Sequence, residues 1–188
     1  MDGKIKIVGF AGSLRHNSYN KSALKAASEL LHEEATLEIL DLADLPFFNQ
    51  DLEDIGIPES VVSFKEKIAS ADAILISTPE YNYSIPPVLK NAIDWASRGK
   101  DFPLNGKPVA IMSASTGLFG GVRAQYHLRQ VCVAVNLNPL NRPEVFIMTA
   151  NKKIDEEGNL IDVNSRNAIS ALLHAMVEKV KELKQINV

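Results

Sequence analysis

Short apolar runs alternate along this chain with stretches in which apolar residues recur at helical spacing. The run at 5–10 is a buried-strand pattern, and apolar positions every three or four residues follow it between 18 and 32. Similar strand patterns lie at 37–42, 71–78, 109–113 and 144–148, and helical patterns at 59–70, 88–95, 121–135 and 163–185. Five strands alternating with five helices predict a parallel sheet covered by helices on both faces.

Two strand orders are common for such a doubly wound sheet. One is the flavodoxin-like order 2-1-3-4-5 and the other is the dinucleotide-binding order 3-2-1-4-5; five strands favour the first. Strands 1, 3 and 4 are then neighbours, and the winding reverses between strands 1 and 3. Ligands bind beyond the carboxyl ends of the strands at such a switch point, so the loops after strands 1, 3 and 4 form the candidate site. Residues 43–58 are predicted to be a loop.

Composition and charge narrow the class of protein. The 188 residues are 46% hydrophobic and 23% charged, which predicts one domain, 1–188, with a full core. A net charge of −3 disfavours nucleic acid as a partner, and no apolar run approaches the ~20 residues that span a membrane. The start shows no leader pattern, and a single cysteine cannot form an internal disulfide, so we expect a cytoplasmic protein. The four histidines lack metal-ligand spacing, so no metal is expected.

The loop after strand 1 has the composition of an anion site. Residues 12–20 read Gly-Ser-Leu-Arg-His-Asn-Ser-Tyr-Asn, and a helical pattern begins near Ser18. Hydroxyls and a guanidinium there join the free N–H groups and positive dipole end of a helix N-terminus, which suits a phosphate. The spacing matches neither G-x-G-x-x-G nor G-x-x-x-x-G-K-[ST]. An ordinary helix cap would explain Ser18 but would leave Ser13 and Arg15 without a role.

The loops after strands 3 and 4 suit a flat ring. Residues 79–87 read Pro-Glu-Tyr-Asn-Tyr-Ser-Ile-Pro-Pro, and the prolines stiffen a stretch rich in aromatic and amide groups. Residues 115–121 are rich in glycine, which allows close approach of the backbone to a ligand. A proline-rich crossover with surface tyrosines and a plain strand-to-helix turn are the alternatives. A planar ring and a phosphate at this switch point describe FMN, as in flavodoxin.

Four segments of the chain, at 12–20, 79–84, 89–95 and 120–130, resemble the NADPH-dependent FMN reductase family, and within it the branch of chromate or quinone reductases. The resemblance extends over essentially the whole chain. It implies that bound FMN is contacted by Ser13, Leu14, Arg15, Ser18, Tyr19, Asn20, Pro79, Glu80, Tyr81, Asn82, Tyr83, Ser115 and Gly117. By this resemblance Ser13, Arg15, Ser18 and Asn20 would bind the phosphate and residues 79–83 would line the flavin ring. Ser115 and Gly117 would close the other side of the flavin site.

The resemblance also implies a reaction and a set of partners. NADPH or NADH would reduce FMN, and the electrons would pass to quinones, azo compounds, chromate or other flavins. No side chain is expected to be obligatory for catalysis, because the flavin carries the chemistry. A homodimer or homotetramer is implied, with residues 123–130 at a subunit contact. The alternatives are a flavodoxin-type electron carrier without its own NAD(P)H turnover and a flavin-free binding protein of the same fold. Cys132 and Trp95 are expected to be buried structural residues.

Overall fold

A computed structural model of the protein describes residues 3–99 and 102–186. The strands are β1 (Ile5–Ala11), β2 (Ala35–Leu40), β3 (Ala73–Thr78), β4 (Pro108–Ala114), β5 (Asn138–Pro139) and β6 (Val145–Ile147). The helices are α1 (Tyr19–Leu30), α2 (Gln50–Ile55), α3 (Glu59–Ser70), α4 (Pro87–Ala96), α5 (Val122–Ala134) and α6 (Val163–Ile186), with a 3₁₀ turn at Ala150–Lys152. All strand pairs are parallel in the order β2-β1-β3-β4-β5, and β6 also pairs with β4. The predicted flavodoxin-like α/β sheet is confirmed.

The three central strands are buried on both faces, which is why they read as apolar runs. Successive side chains of a strand point to opposite faces, so each strand contributes to two separate cores. One core packs the sheet against α1 and α6, with Leu24 and Met176 fully buried. The other packs it against α3, α4 and α5, with Ile93 and Leu128 fully buried. Cys132 belongs to this second core, which confirms it as a small buried apolar residue.

Strand β2 begins and ends two residues earlier than the predicted 37–42 range. Ile5 pairs with Ala35 and Phe10 with Leu40, so β2 ends where β1 turns into its loop. Leu42 lies beyond the strand yet is buried, and its apolar character therefore reflects the packing of a loop residue. The prediction extended the strand to residue 42 because a buried loop residue is as apolar as a strand residue.

A short helix occupies part of the predicted 43–58 loop. The side chain of Asn49 caps α2 by accepting a hydrogen bond from the N–H of Asp51, at 3.0 Å. Asp51 and Glu53 in the first turn favour the helix dipole. No residue of α2 is buried, so the helix carries no apolar periodicity that a sequence pattern could show.

The predicted fifth strand at 144–148 corresponds to β6 (Val145–Ile147), and a two-residue strand that the sequence pattern does not predict, β5, precedes it. β5 contains only Asn138 and Pro139 and pairs with the start of β4, whereas β6 pairs with its end. Proline has no N–H to donate, which shortens β5 and leaves the edge of the sheet interrupted.

Trp95 joins α4 to the segment that follows β2. Its ring is fully buried, and its indole N–H donates a hydrogen bond of 2.7 Å to the carbonyl of Pro46. The amide of Asn91 donates to the same carbonyl at 2.9 Å, and the ring of Phe48 meets the indole edge-on. The expected structural role of Trp95 is confirmed, and residues 46–48 are held against α4.

Within residues 3–99 and 102–186, no helix is long and apolar enough to cross a membrane. The same residues contain no group of three or more histidine, cysteine, aspartate or glutamate side chains placed to hold a metal ion.

Candidate functional site

The loop after β1 delivers two buried serines to the N-terminus of α1. Ser18 is the N-cap, and its hydroxyl accepts hydrogen bonds from the N–H groups of Asn20 and Lys21, at 3.3 and 3.4 Å. Ser13 is also buried, and its hydroxyl accepts from the N–H of Arg15 at 3.4 Å. The first turn of α1 contains no acidic side chain, so the positive end of the helix dipole is left free for an external anion.

Arg15 supplies a cation beside these serines. Its guanidinium carbon lies 5.8 Å from the centroid of the Tyr19 ring, and its side chain is exposed. Among the residues that the structure describes, no carboxylate forms an ion pair with it. Leu14, half exposed, lies next to it on the surface of the loop. The charge of Arg15 is therefore available to a ligand.

The side chain of Asn20 turns inward and joins the first loop to the two neighbouring strands. Its amide oxygen accepts from the hydroxyl of Ser77 and from the N–H of Ala114, both at 3.0 Å. Its amide nitrogen donates to the carbonyl of Ala114, also at 3.0 Å. These atoms are buried at the carboxyl ends of β3 and β4. Asn20 thus ties the start of α1 to the carboxyl ends of β3 and β4, and its polar atoms are directed at the protein.

The loop after β3 contains a tight turn with unfavourable backbone geometry. Tyr81 and Ser84 exchange two backbone hydrogen bonds of 2.9 Å, and the residues between them, Asn82 and Tyr83, have φ values of 50° and 65°. Two positive φ values define a type I′ turn, in which glycine is favoured at the second central position. A tyrosine in that position stores roughly 1 kcal/mol or more of strain. Such strain persists where surrounding contacts hold the backbone, and it is common at functional sites.

Contacts to α5 hold this turn. The Glu80 carboxylate accepts hydrogen bonds from the N–H groups of Arg123 and Ala124, at 3.0 and 3.2 Å, and from the Arg123 guanidinium at 3.3 Å. The guanidinium stacks on the ring of Tyr83, 4.1 Å from its centroid, and lies 4.6 Å from that of Phe119. The Glu80 carboxylate is therefore directed at α5, while the side chains of Tyr81 and Tyr83 remain exposed.

The loop after β4 approaches the same edge. The hydroxyl of Ser115 accepts from the N–H of Gly117 at 3.1 Å, and the backbone of Ser115 is bonded to Ile147 and Ala150. Gly121, with φ of 87°, packs so closely that an added Cβ would lie 2.9 Å from the Cβ of Ser113. The three loops that the sequence singles out therefore lie side by side at the carboxyl ends of the adjacent strands β1, β3 and β4. The hydrogen bonds of Asn20 to Ser77 and Ala114 join the first loop to the ends of β3 and β4.

A cavity of about 850 Å³ lies beside the first loop. It is bounded by the residues from Arg15 to Tyr19, by the end of β2 and by the turn at 154–158. The loops after β3 and β4 lie outside it. The cavity therefore adjoins the anion end of the candidate site and not the end formed by the tyrosine turn.

Two residues of this edge, Arg123 and Phe119, are absent from the sequence-based set of ligand candidates. The resemblance places Arg123 at a subunit contact, and within its own chain Arg123 contacts Glu80 and Tyr83. The helix after β4 must begin next to the loop after β3 in this strand order, and that topological argument was the available signal.

Comparison with known proteins assigns the chain to a family. The sequence matches the profile of NADPH-dependent FMN reductase over residues 5–152, which includes β1, β3, β4 and all three loops. The chain belongs to this family. The resemblance noted from the four sequence segments is confirmed.

Individual relatives agree with the family assignment. An "NAD(P)H-dependent FMN reductase" from Pseudomonas aeruginosa is 47% identical over 184 residues, covering 98% of this chain and 100% of that protein. A "quinone reductase" from Escherichia coli is 38% identical, covering 98% and 100%. Among solved structures, FerB, a flavoenzyme NAD(P)H:(acceptor) oxidoreductase from Paracoccus denitrificans, superposes with a TM-score of 0.86 at 32% identity, covering 95% of this chain and 98% of that one.

Proposed function

We propose that this chain is an FMN-dependent NAD(P)H oxidoreductase that reduces quinones and other small acceptors. The observation that carries the proposal is the meeting of three loops at the switch point of the sheet, connected by Asn20, in a member of the NADPH-dependent FMN reductase family. Relatives that align over nearly the whole chain are named as FMN and quinone reductases, which supports both the electron donor and the acceptor class. Azo compounds, chromate and free flavins are further candidate acceptors.

The residues present fit FMN. A phosphate at the N-terminus of α1 would meet Ser13, Ser18 and Arg15, where no carboxylate of the first helical turn opposes an anion. The flavin ring would lie along the turn that Pro79 opens and along the segment from Ser115 to Gly117. Leu14, Tyr19 and Tyr81 would border the cofactor, and the backbone of Glu80, Asn82 and Tyr83 would face it. Asn20 would support the loop from within instead of touching the phosphate.

When bound, FMN supplies hydride acceptance from NAD(P)H and electron delivery to the acceptor, so the chain need provide no acid, base or nucleophile. The chain's own groups would fix the position of the cofactor and balance its charge. Arg15 and the α1 dipole would offset the phosphate charge, and the rigid turn would hold one edge of the ring. The exposed rings of Tyr81 and Phe119 would offer aromatic surfaces to small flat acceptors.

The alternative of a flavodoxin-type carrier is not supported. Relatives at 38% and 47% identity, which align from end to end, carry the names of reductases. No observation on the molecule favours a carrier over an enzyme with its own NAD(P)H turnover.

The deciding experiment combines spectroscopy with turnover. The purified protein, supplied with FMN and washed, should keep the absorbance of bound flavin and oxidise NADPH or NADH when a benzoquinone is added. The same preparation without quinone measures the background oxidation. Bound flavin without turnover by either nicotinamide would exclude the enzyme, and a protein that stays colourless would exclude flavin binding altogether.

The remaining expectations concern assembly and location. We infer a homodimer or homotetramer, since Leu118, Phe119 and Tyr126 expose large apolar surfaces near the start of α5, where aromatic residues favour interfaces. Light scattering during gel filtration tests this oligomeric state.

Residues 1–188 would form one FMN-binding domain, and its single cysteine suits the cytoplasm. Cell fractionation tests the location.

A further inference from the structure

Helix α5 cannot cap its own N-terminus. Its N-cap residue is Gly121, which has no side chain, and the first turn contains no acidic residue. A residue with a Cβ would collide with Ser113 at this position, so a serine or aspartate cap cannot be accommodated. The N–H groups of Arg123 and Ala124 must therefore find an acceptor from elsewhere in the fold.

Glu80 is that acceptor. Its carboxylate binds both N–H groups and the guanidinium of Arg123, and its side chain is only 12% exposed. The two carboxylate oxygens accept hydrogen bonds from three donors of α5, so the carboxylate is bound within the protein. It is correspondingly less able to serve as a direct ligand of a cofactor.

The same arginine also holds the far end of the turn. Its guanidinium lies over the ring of Tyr83, three residues after Glu80, so the segment from 80 to 83 is fixed at both ends to one residue of α5. A third contact continues the attachment, because the ring of His127 and the hydroxyl of Ser84 are 3.1 Å apart. Between these contacts lie the two positive φ angles, a geometry that must be imposed from outside.

We propose that Glu80 is a positioning residue, which acts through α5 and Arg123 to hold the backbone of Asn82 and Tyr83 in the shape that receives the flavin. The inference rests on the proposed function, since it takes the turn as part of the FMN site. It assigns to the Glu80 carboxylate a task distinct from ligand contact. Loss of the carboxylate removes the bonds that hold the turn to α5.

The chain offers a matched control for the stabilising part of this role. Asp162 precedes α6, and its carboxylate accepts from the N–H of Ser165 at 2.8 Å and pairs with Lys153 at 3.4 Å. Like Glu80, it caps a helix and pairs with one cation, but it lies outside the three candidate loops. The variants Glu80→Ala and Asp162→Ala therefore both remove a carboxylate cap, and only the first affects the turn.

The test measures two quantities for the full-length protein. Hydrogen exchange on the FMN-free protein follows the amides of Tyr81 and Ser84, which bond to each other across the turn. Titration with FMN, followed by flavin fluorescence, gives its dissociation constant. We expect faster exchange at both amides and about tenfold weaker FMN binding in Glu80→Ala, with neither change in Asp162→Ala. Glu80→Gln, which keeps one acceptor oxygen, should lie between the wild type and Glu80→Ala in both measurements.

The possible outcomes distinguish the positioning role of Glu80 from FMN binding itself. If Glu80→Ala shows wild-type exchange at the turn and wild-type FMN affinity, Glu80 is a helix cap only and the positioning role is refuted. If Glu80→Ala fails to fold, Glu80→Gln decides by the same criteria. Wild-type protein that binds no FMN would overturn the proposed function and this inference with it, whereas wild-type binding with unaffected Glu80 variants overturns the inference alone.

Discussion

The variant Asn20→Ala should destabilise the protein itself, although Asn20 lies in the loop predicted to bind phosphate. The side chain makes three buried hydrogen bonds, one to Ser77 and two to the backbone of Ala114. At about 1 kcal/mol for each bond, alanine should cost roughly 3 kcal/mol, and buried groups left without partners would add to this loss. That is a large share of the ~5–15 kcal/mol by which native proteins are stable.

Urea unfolding of the FMN-free protein, followed by circular dichroism, measures this loss. With a slope of about 2–3 kcal/mol per molar urea, the midpoint should fall by about 1–1.5 M. The control is Asn17→Ala in the same loop, because Asn17 is exposed and bonds only to the neighbouring ring of His16 among the described residues. Its midpoint should correspond to a change within about 0.5 kcal/mol. Equal midpoints for the two variants would refute the assignment of Asn20 as the connection between α1 and the ends of β3 and β4.

Three further predictions concern other parts of the molecule. Arg15→Ala should weaken FMN binding by about 1.5–3 kcal/mol while leaving the urea midpoint of the FMN-free protein unchanged; an unaltered FMN dissociation constant would show that the anion loop has been misread. Gly121→Ala should lower the unfolding free energy by more than about 1 kcal/mol, because its φ is 87° and the new Cβ would meet Ser113; wild-type stability in the same urea titration would contradict the packing described. Burial raises the pKa of the Cys132 thiol to about 11, so a thiol reagent at pH 8 should modify the native protein far more slowly than the urea-unfolded one, and equal rates would contradict its burial.

The positions of the central strands could be predicted from the sequence because burial makes them apolar, and the number of strands then favoured the observed order. Strands covered on both faces are continuous apolar runs, and β1, β3 and β4 are such runs. Elements without buried faces show no such runs. Helix α2 depends on the cap at Asn49 and on surface charges, and β5 is two residues long, so neither produces a periodic pattern.

The location of the candidate site was predictable to the level of loops but not of side-chain roles. Topology alone places the ends of β1, β3 and β4 together. The partners of individual side chains are set by contacts distant in sequence: Asn20 bonds to Ala114, 94 residues away, and Glu80 to Arg123, 43 residues away. No local pattern encodes such pairs. A polar residue in a ligand loop can therefore serve the ligand or the scaffold, and only the fold distinguishes the two.

The divided edge of the sheet limits how copies of this protein can associate. Beyond β4 the hydrogen-bonding row consists of a two-residue piece that includes a proline and a separate three-residue piece. A strand from another molecule that approached this side would find no continuous row of N–H and C=O groups with which to pair. The sheet therefore cannot be extended there into a larger intermolecular sheet. On this side of the sheet, association between copies must therefore use side chains of helices and loops instead of strand pairing.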